Sequence, residues 1–223
     1  MSPTRDGHEL HLNTLGARDE HGKVGPGSRL LVLIHGYGAD ENDLAPLAPL
    51  YDPSGEFFTI CPRGTIDVPP WGAGWYDRSP EGVIDSASFV RSVDMLDDAI
   101  DSTCASQNLQ RSEAVVIGFS QGGAMALAVS LRESTRARPA AVACLSGMLQ
   151  ELDDIPYDWR APQLPAIYVQ HGTDDPMVPI ARGHHTRDRL LTEGIEHRYD
   201  EYPMQHEIRP ESILDIREWL ITV

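Results

Sequence analysis

The chain has 223 residues, 41% hydrophobic and 23% charged, an ordinary globular mix with length enough for one substantial core. Its 34 acidic against 18 basic residues give a formal net charge of −16, which repels a phosphate backbone and argues against a nucleic-acid role. Three widely spaced cysteines, Cys61, Cys104 and Cys144, make neither a disulfide framework nor a zinc pattern and suit buried, reduced thiols in the cytoplasm.

In chain order, residues 1–6 show no apolar run behind their basic residue, so no secretory signal is expected. No apolar run is long enough for a bilayer, and no stable membrane insertion is expected. A short strand fits residues 8–12, although 1–27 carry no recognisable motif. Apolar runs bounded by Gly, Pro and charge predict buried strands at 30–34, 57–61, 114–117, 140–145 and 166–170, with a last strand at 197–202. The Gly- and Pro-rich segment 64–82 carries Trp71, Trp75 and Tyr76 and reads as an ordered loop near a site, since long loops in compact domains are usually functional. Over 86–106, Phe89, Val93, Leu96, Ile100 and Thr103 recur every three or four residues, one stripe of an amphipathic helix. Asp94, Asp97, Asp98 and Asp101 fall elsewhere on that segment and read as a solvated acidic face. Further helices are predicted at 124–131, 180–191 and 211–221. Strands alternating with helices imply an α/β fold, a largely parallel sheet covered on both faces, here as one domain over 1–223. Ligands of such sheets bind beyond the carboxyl ends of the strands, so catalytic residues are expected just after strands.

The segment Ala114-Val115-Val116-Ile117 runs straight into Gly118-Phe119-Ser120-Gln121-Gly122-Gly123, followed by helix-like Ala124-Met125-Ala126-Leu127. This is G-x-S-x-G between strand and helix, where a sharp turn exposes the serine above the sheet. Flanking glycines remove side chains that would clash in that bend, and the helix N-terminus favours a developing oxyanion. Ser120 is therefore the candidate nucleophile, and a serine hydroxyl needs an adjacent base.

In this arrangement the acid and then the histidine follow the serine along the chain. After the strand at 166–170 come Asp174 and Asp175; Pro176 biases its predecessor towards an extended turn, which favours Asp175. Among His184, His185, His197 and His206, the first two fall in a helix and His197 begins a strand. Only His206 follows the last strand and fits the order. Residues 30–34 end in His35-Gly36-Tyr37-Gly38, which makes the backbone N–H of Tyr37 one candidate oxyanion donor and that of Gln121 the other. His35 itself reads as a buried anchor for its loop. His8 with His11, or His184 with Asp188, have loose ligand-like spacing without a third ligand, so no metal is expected.

Together, His35-Gly36-Tyr37-Gly38-Ala39 with Asp43-Leu44, Pro62-Arg63-Gly64, Trp75-Tyr76-Asp77, Gly118-Phe119-Ser120-Gln121-Gly122-Gly123, Ser146-Gly147, His171-Gly172 with Asp175-Pro176 and Val178-Pro179, and His206 resemble the phospholipase/carboxylesterase family, which includes the acyl-protein thioesterases. Ala39, where the thioesterase branch usually has Asp, and Pro62-Arg63-Gly64 are similar to the bacterial carboxylesterase branch. The resemblance implies an α/β-hydrolase fold without a large cap, no cofactor, and hydrolysis of carboxylic or thioester bonds of acyl substrates by Ser120, Asp175 and His206; the leading expectation is an esterase acting on small-molecule esters of small or medium acyl chains. It also places the Trp71, Trp75 and Tyr76 loop, with Met177, at the acyl pocket. A thioesterase or lysophospholipase, and from another class a non-catalytic binding module, are the competing expectations. A homodimer is one assembly state to consider.

Overall fold

The computed structural model describes residues 10–16 and 28–223. Seven strands form the main sheet: β1 (Leu12–Gly16), β2 (Arg29–Ile34), β3 (Phe57–Pro62), β6 (Val115–Phe119), β7 (Ala141–Leu145), β8 (Ala166–Gly172) and β9 (Arg198–Tyr202). Their spatial order is β1-β3-β2-β6-β7-β8-β9; β1 runs antiparallel to β3 and every other neighbouring pair is parallel. The helices are α1 (Ala48–Tyr51), α2 (Ser86–Gln107), α3 (Gln121–Leu131), α4 (Ile180–Thr192) and α5 (Pro210–Leu220). Among the described residues no helix is long and apolar enough to cross a membrane.

The continuous apolar strands are explained by burial on both faces. Successive side chains on β2 alternate: Leu30, Val32 and Ile34 join one core with α2, α3 and α4, while Leu31 and Leu33 join a second core with α1 and α5. Each fully buried residue of this kind contributes about 1.5–3 kcal/mol by leaving water. The α2 stripe Phe89, Val93, Leu96 and Ile100 lies in the first core, as its spacing requires. Asp85 caps that helix by accepting from Ser88 N–H at 3.1 Å, and Asn108 ends it at a left-handed φ of 56°. The three cysteines are free and buried, and burial pushes the Cys61 and Cys144 thiols up to about 12.

Several expectations are corrected. The first described strand is Leu12–Gly16 rather than 8–12: residues 8 and 9 of the expected strand lie outside the described residues, and 10 and 11 precede the strand. The segment 64–82 is not wholly loop: β4 (Ile66–Val68) and β5 (Gly72–Gly74) pair as a small antiparallel ribbon. Helix α3 starts at Gln121, not 124, directly after the serine. The acidic row on α2 is not a merely solvated face. Asp97 is 1% exposed and pairs with both Arg111 and Arg132, while Arg132 also meets Asp94 at 2.8 Å, Arg111 meets Asp101 at 2.8 Å, and Arg136 meets Asp98 at 2.6 Å. Arg111 stands in the turn just after α2, and Arg132 and Arg136 at and beyond the end of α3, so the row's partners could not be read from α2 alone.

Candidate active site

Three carboxyl strand ends converge on one rim of the sheet. Ser120 follows β6, Asp175 follows β8 and His206 follows β9. Ser120 adopts φ 55° and ψ −117°, a conformation that L side chains rarely enter. The turn can close only because its neighbours lack side chains: a Cβ on Gly118 would stand 2.0 Å from the Gly122 carbonyl oxygen, and one on Gly122 would stand 2.1 Å from that of Ile34. This close approach lets α3 begin immediately and point its N-terminus at the serine.

The sequence candidates do meet. His206 Nε2 lies 2.9 Å from Ser120 Oγ, and His206 Nδ1 lies 2.7 Å from Asp175 Oδ2. Asp175 accepts at its other oxygen, Oδ1, from the N–H groups of Met177 and Val178, each at 2.8 Å. Its carboxylate is buried and fully engaged, whereas Asp174 is exposed and does not reach the histidine. A carboxylate accepts only, so the proton of His206 sits on Nδ1 and Nε2 presents its lone pair to the serine hydroxyl. Phe119 packs its ring 4.7 Å from the imidazole centroid and limits the ring's freedom. His184 and His185 instead meet Glu201 and Glu151 at the surface, at 2.8 and 3.0 Å.

Beside the serine, the loop after β2 approaches closely: a Cβ on Gly36 would lie 3.3 Å from Ser120 Cβ. Among the described residues neither the Tyr37 nor the Gln121 backbone N–H has a protein acceptor. His35 anchors this loop. It is 1% exposed, donates from Nδ1 to the Gly36 carbonyl at 2.7 Å and accepts at Nε2 from Gly64 N–H at 2.9 Å. Burial holds its pKa below the ordinary value of 6.5, so the ring is neutral.

The expected pocket aromatics separate into two groups. Trp75 and Tyr76 are 0% and 2% exposed and belong to the core, so they have no surface to offer a substrate; this corrects the expectation. The Trp75 indole donates to the His35 carbonyl at 2.9 Å, and Tyr76 packs its ring 5.0 Å from that of Phe89. The Gln121 side chain clamps both backbones, accepting from Trp75 N–H and donating to the Tyr76 carbonyl, each at 2.8 Å. Sequence reasoning did not find this clamp, because no local pattern links residue 121 to 75. Trp71 and Met177 are 83% and 74% exposed. Trp71 walls an open hollow of about 410 Å³ with Gly38, Asp40 and Asp43, and none of Ser120, Asp175 and His206 lines it. Met177 lies on the turn that holds Asp175.

Comparison with known proteins agrees with this architecture. The family model described as Phospholipase/Carboxylesterase matches residues 22–223. The chain is 27% identical over 155 residues to Lysophospholipase-like protein 1 of Mus musculus, covering 66% of this chain and 63% of that protein. It is 30% identical over 171 residues to Feruloyl esterase D of Neurospora crassa, covering 74% of this chain and 50% of that protein. The match thus spans under two thirds of either relative's length. The crystal structure of esterase PE8 superimposes with a TM-score of 0.82 at 23% identity, over 97% of this chain and all of that one, a likeness of fold. With the α/β-hydrolase arrangement in place and the family model covering nearly its whole length, the chain belongs to the phospholipase/carboxylesterase family.

Proposed function

We propose that the protein is a serine carboxylesterase that hydrolyses esters of small to medium acyl chains without a cofactor, with Ser120 as nucleophile, His206 as general base and Asp175 as its orienting acid. The observation that carries this reading is the unbroken relay of 2.7 and 2.9 Å from Asp175 through His206 to the Ser120 hydroxyl. His206 Nε2 takes the hydroxyl proton as Oγ attacks the ester carbonyl carbon. The resulting oxyanion accepts from the Tyr37 and Gln121 backbone N–H groups, each donor lowering the barrier by roughly 3 kcal/mol. The tetrahedral intermediate collapses to an acyl-serine as the imidazolium protonates the departing alcohol. Water, deprotonated by the same nitrogen, then attacks the acyl-serine; the acid leaves and Oγ recovers its proton. Of the side chains first assigned to the acyl pocket, exposed Trp71 and Met177 are kept as candidate substrate contacts.

Replacing Ser120 with Ala is the direct test: turnover of short p-nitrophenyl esters should fall by several orders of magnitude. A fluorophosphonate probe should label the parent chain and not the variant. Unchanged turnover in the variant would remove the proposal. A thioesterase or lysophospholipase is the second reading, favoured by the name of the mouse relative, Lysophospholipase-like protein 1. A panel of esters, thioesters and lysolipids separates the two, with preference for long acyl chains supporting the second.

A further inference from the structure

His171 lies on β8, one residue before its end, and has no part in the proton relay. It is fully buried beneath α4, where a Cβ added to Gly183 would stand 2.8 Å from its Nδ1. Its Nε2 lies 2.8 Å from the Val178 carbonyl oxygen. A carbonyl only accepts, so Nε2 carries the proton and Nδ1 is a bare lone pair with no partner among the described residues. A buried polar atom left unpaired is unfavourable, a penalty that a phenylalanine filling the same space would not carry. What a histidine supplies here that an apolar ring does not is the hydrogen bond to Val178.

That bond acts on a residue already tied to the acid. Val178 donates its N–H to Asp175 Oδ1 at 2.8 Å while its carbonyl accepts from His171, so both sides of the residue are held. Met177 N–H reaches the same Oδ1 at 2.8 Å. With Oδ1 doubly engaged, Oδ2 is turned to His206 at 2.7 Å and stays 3.8 Å from His171 Nε2, beyond hydrogen-bond range. We propose that His171 is a positioning residue for the hydrolysis, fixing the turn 175–178 through the Val178 carbonyl so that Asp175 presents Oδ2 to His206. The inference rests on the relay reading given above. His171 itself touches neither the serine nor the base in this arrangement.

A mutant cycle tests it. His171→Phe keeps the volume and removes the donor; His171→Gln places an amide nitrogen where Nε2 stood and restores it. With a short p-nitrophenyl ester, H171F should lose roughly 10- to 100-fold in kcat with KM nearly unchanged, as losses of outer orienting groups do. H171Q should recover most of that loss. In the residual turnover of an Asp175→Ala background, the H171F penalty should disappear, because nothing remains to be positioned. An Asp175→Ala enzyme as active as the parent overturns the relay reading itself. A crippled Asp175→Ala enzyme on which H171F still costs its full factor overturns the role of His171 alone. So does an H171F enzyme with parental kcat, or an H171Q enzyme no better than H171F. Should H171F fail to fold, His171→Asn, whose amide reaches only the Nδ1 position, takes its place as the donor-deleted arm.

Discussion

The turn at Ser120 offers a test in which stability and activity part company. Its φ of 55° and ψ of −117° are open to glycine and strained for any residue with a Cβ. Such strain costs of order 1–3 kcal/mol. Elsewhere, exchanging alanine for glycine in an ordered element is destabilising by about 0.5–1 kcal/mol. Ser120→Gly and Ser120→Ala both lose the 2.9 Å bond to His206, so that loss cancels between them. The difference leaves the glycine variant ahead by roughly 1 kcal/mol, which in a chain of this size is about 2–4 °C in Tm. Both variants should be inactive. Ala105→Gly, at an exposed position of α2, should move the other way and lower Tm slightly. Calorimetric melts of the four proteins decide the matter. An Ser120→Ala protein melting at or above Ser120→Gly would show that no strain is stored at this residue.

Other perturbations read out the surrounding supports. Asp97→Asn strips Arg111 and Arg132 of a buried partner but leaves each an outer carboxylate at 2.8 Å, so the loss should fall at the low end of the buried-pair range, about 3 kcal/mol, visible in urea denaturation; a change within about 0.5 kcal/mol would refute the network's role. Gln121→Ala unpairs the buried Trp75 N–H and Tyr76 carbonyl and should cost roughly 2–4 kcal/mol. Because the oxyanion donor proposed at that residue is its backbone N–H, kcat at low temperature should drop by less than about tenfold; a loss as large as that of Ser120→Ala would contradict this. Burial keeps His35 and His171 below the ordinary 6.5, so the unfolded chain binds their protons first. Stability from these rings is full above about pH 6.5 and declines as pH falls below it, by up to roughly 1.4 kcal/mol per pH unit for each ring. Melts between pH 7.5 and 5.5 should show the fall, with a shallower slope in H171Q; a flat profile would show that neither ring resists protonation.

Much of the scaffold was legible because a strand buried on both faces must be apolar throughout, and runs such as Val115, Val116 and Ile117 have no other place in a folded chain. The meeting of Ser120, Asp175 and His206 was anticipated by chain order and strand ends, since a parallel sheet puts those ends on one rim. What escaped were relations carried by space alone. Gly122 and Gly123 looked like turn residues, yet they sit inside the first turn of α3, where Gly122 lets the backbone press against Ile34 and Gly123 against Cys144. Trp75 and Tyr76 looked like pocket walls because they share a loop with Trp71; the ribbon of β4 and β5 folds them inward and leaves Trp71 outside. The arginines facing α2 lie at 111, 132 and 136, where no helical periodicity connects them to Asp97, Asp98 and Asp101.

Every residue of α3, from Gln121 to Leu131, is buried, while His206 hangs beyond β9, the last strand of the sheet and a largely half-exposed one. The amides of the helix behind the serine should therefore exchange with solvent only when the whole chain opens, whereas an edge strand frays at far lower free energy. Inactivation on gentle warming would then begin as a parting of partners, with Ser120 still locked in place and the imidazole drifting off with its edge, before any calorimetric signal of melting.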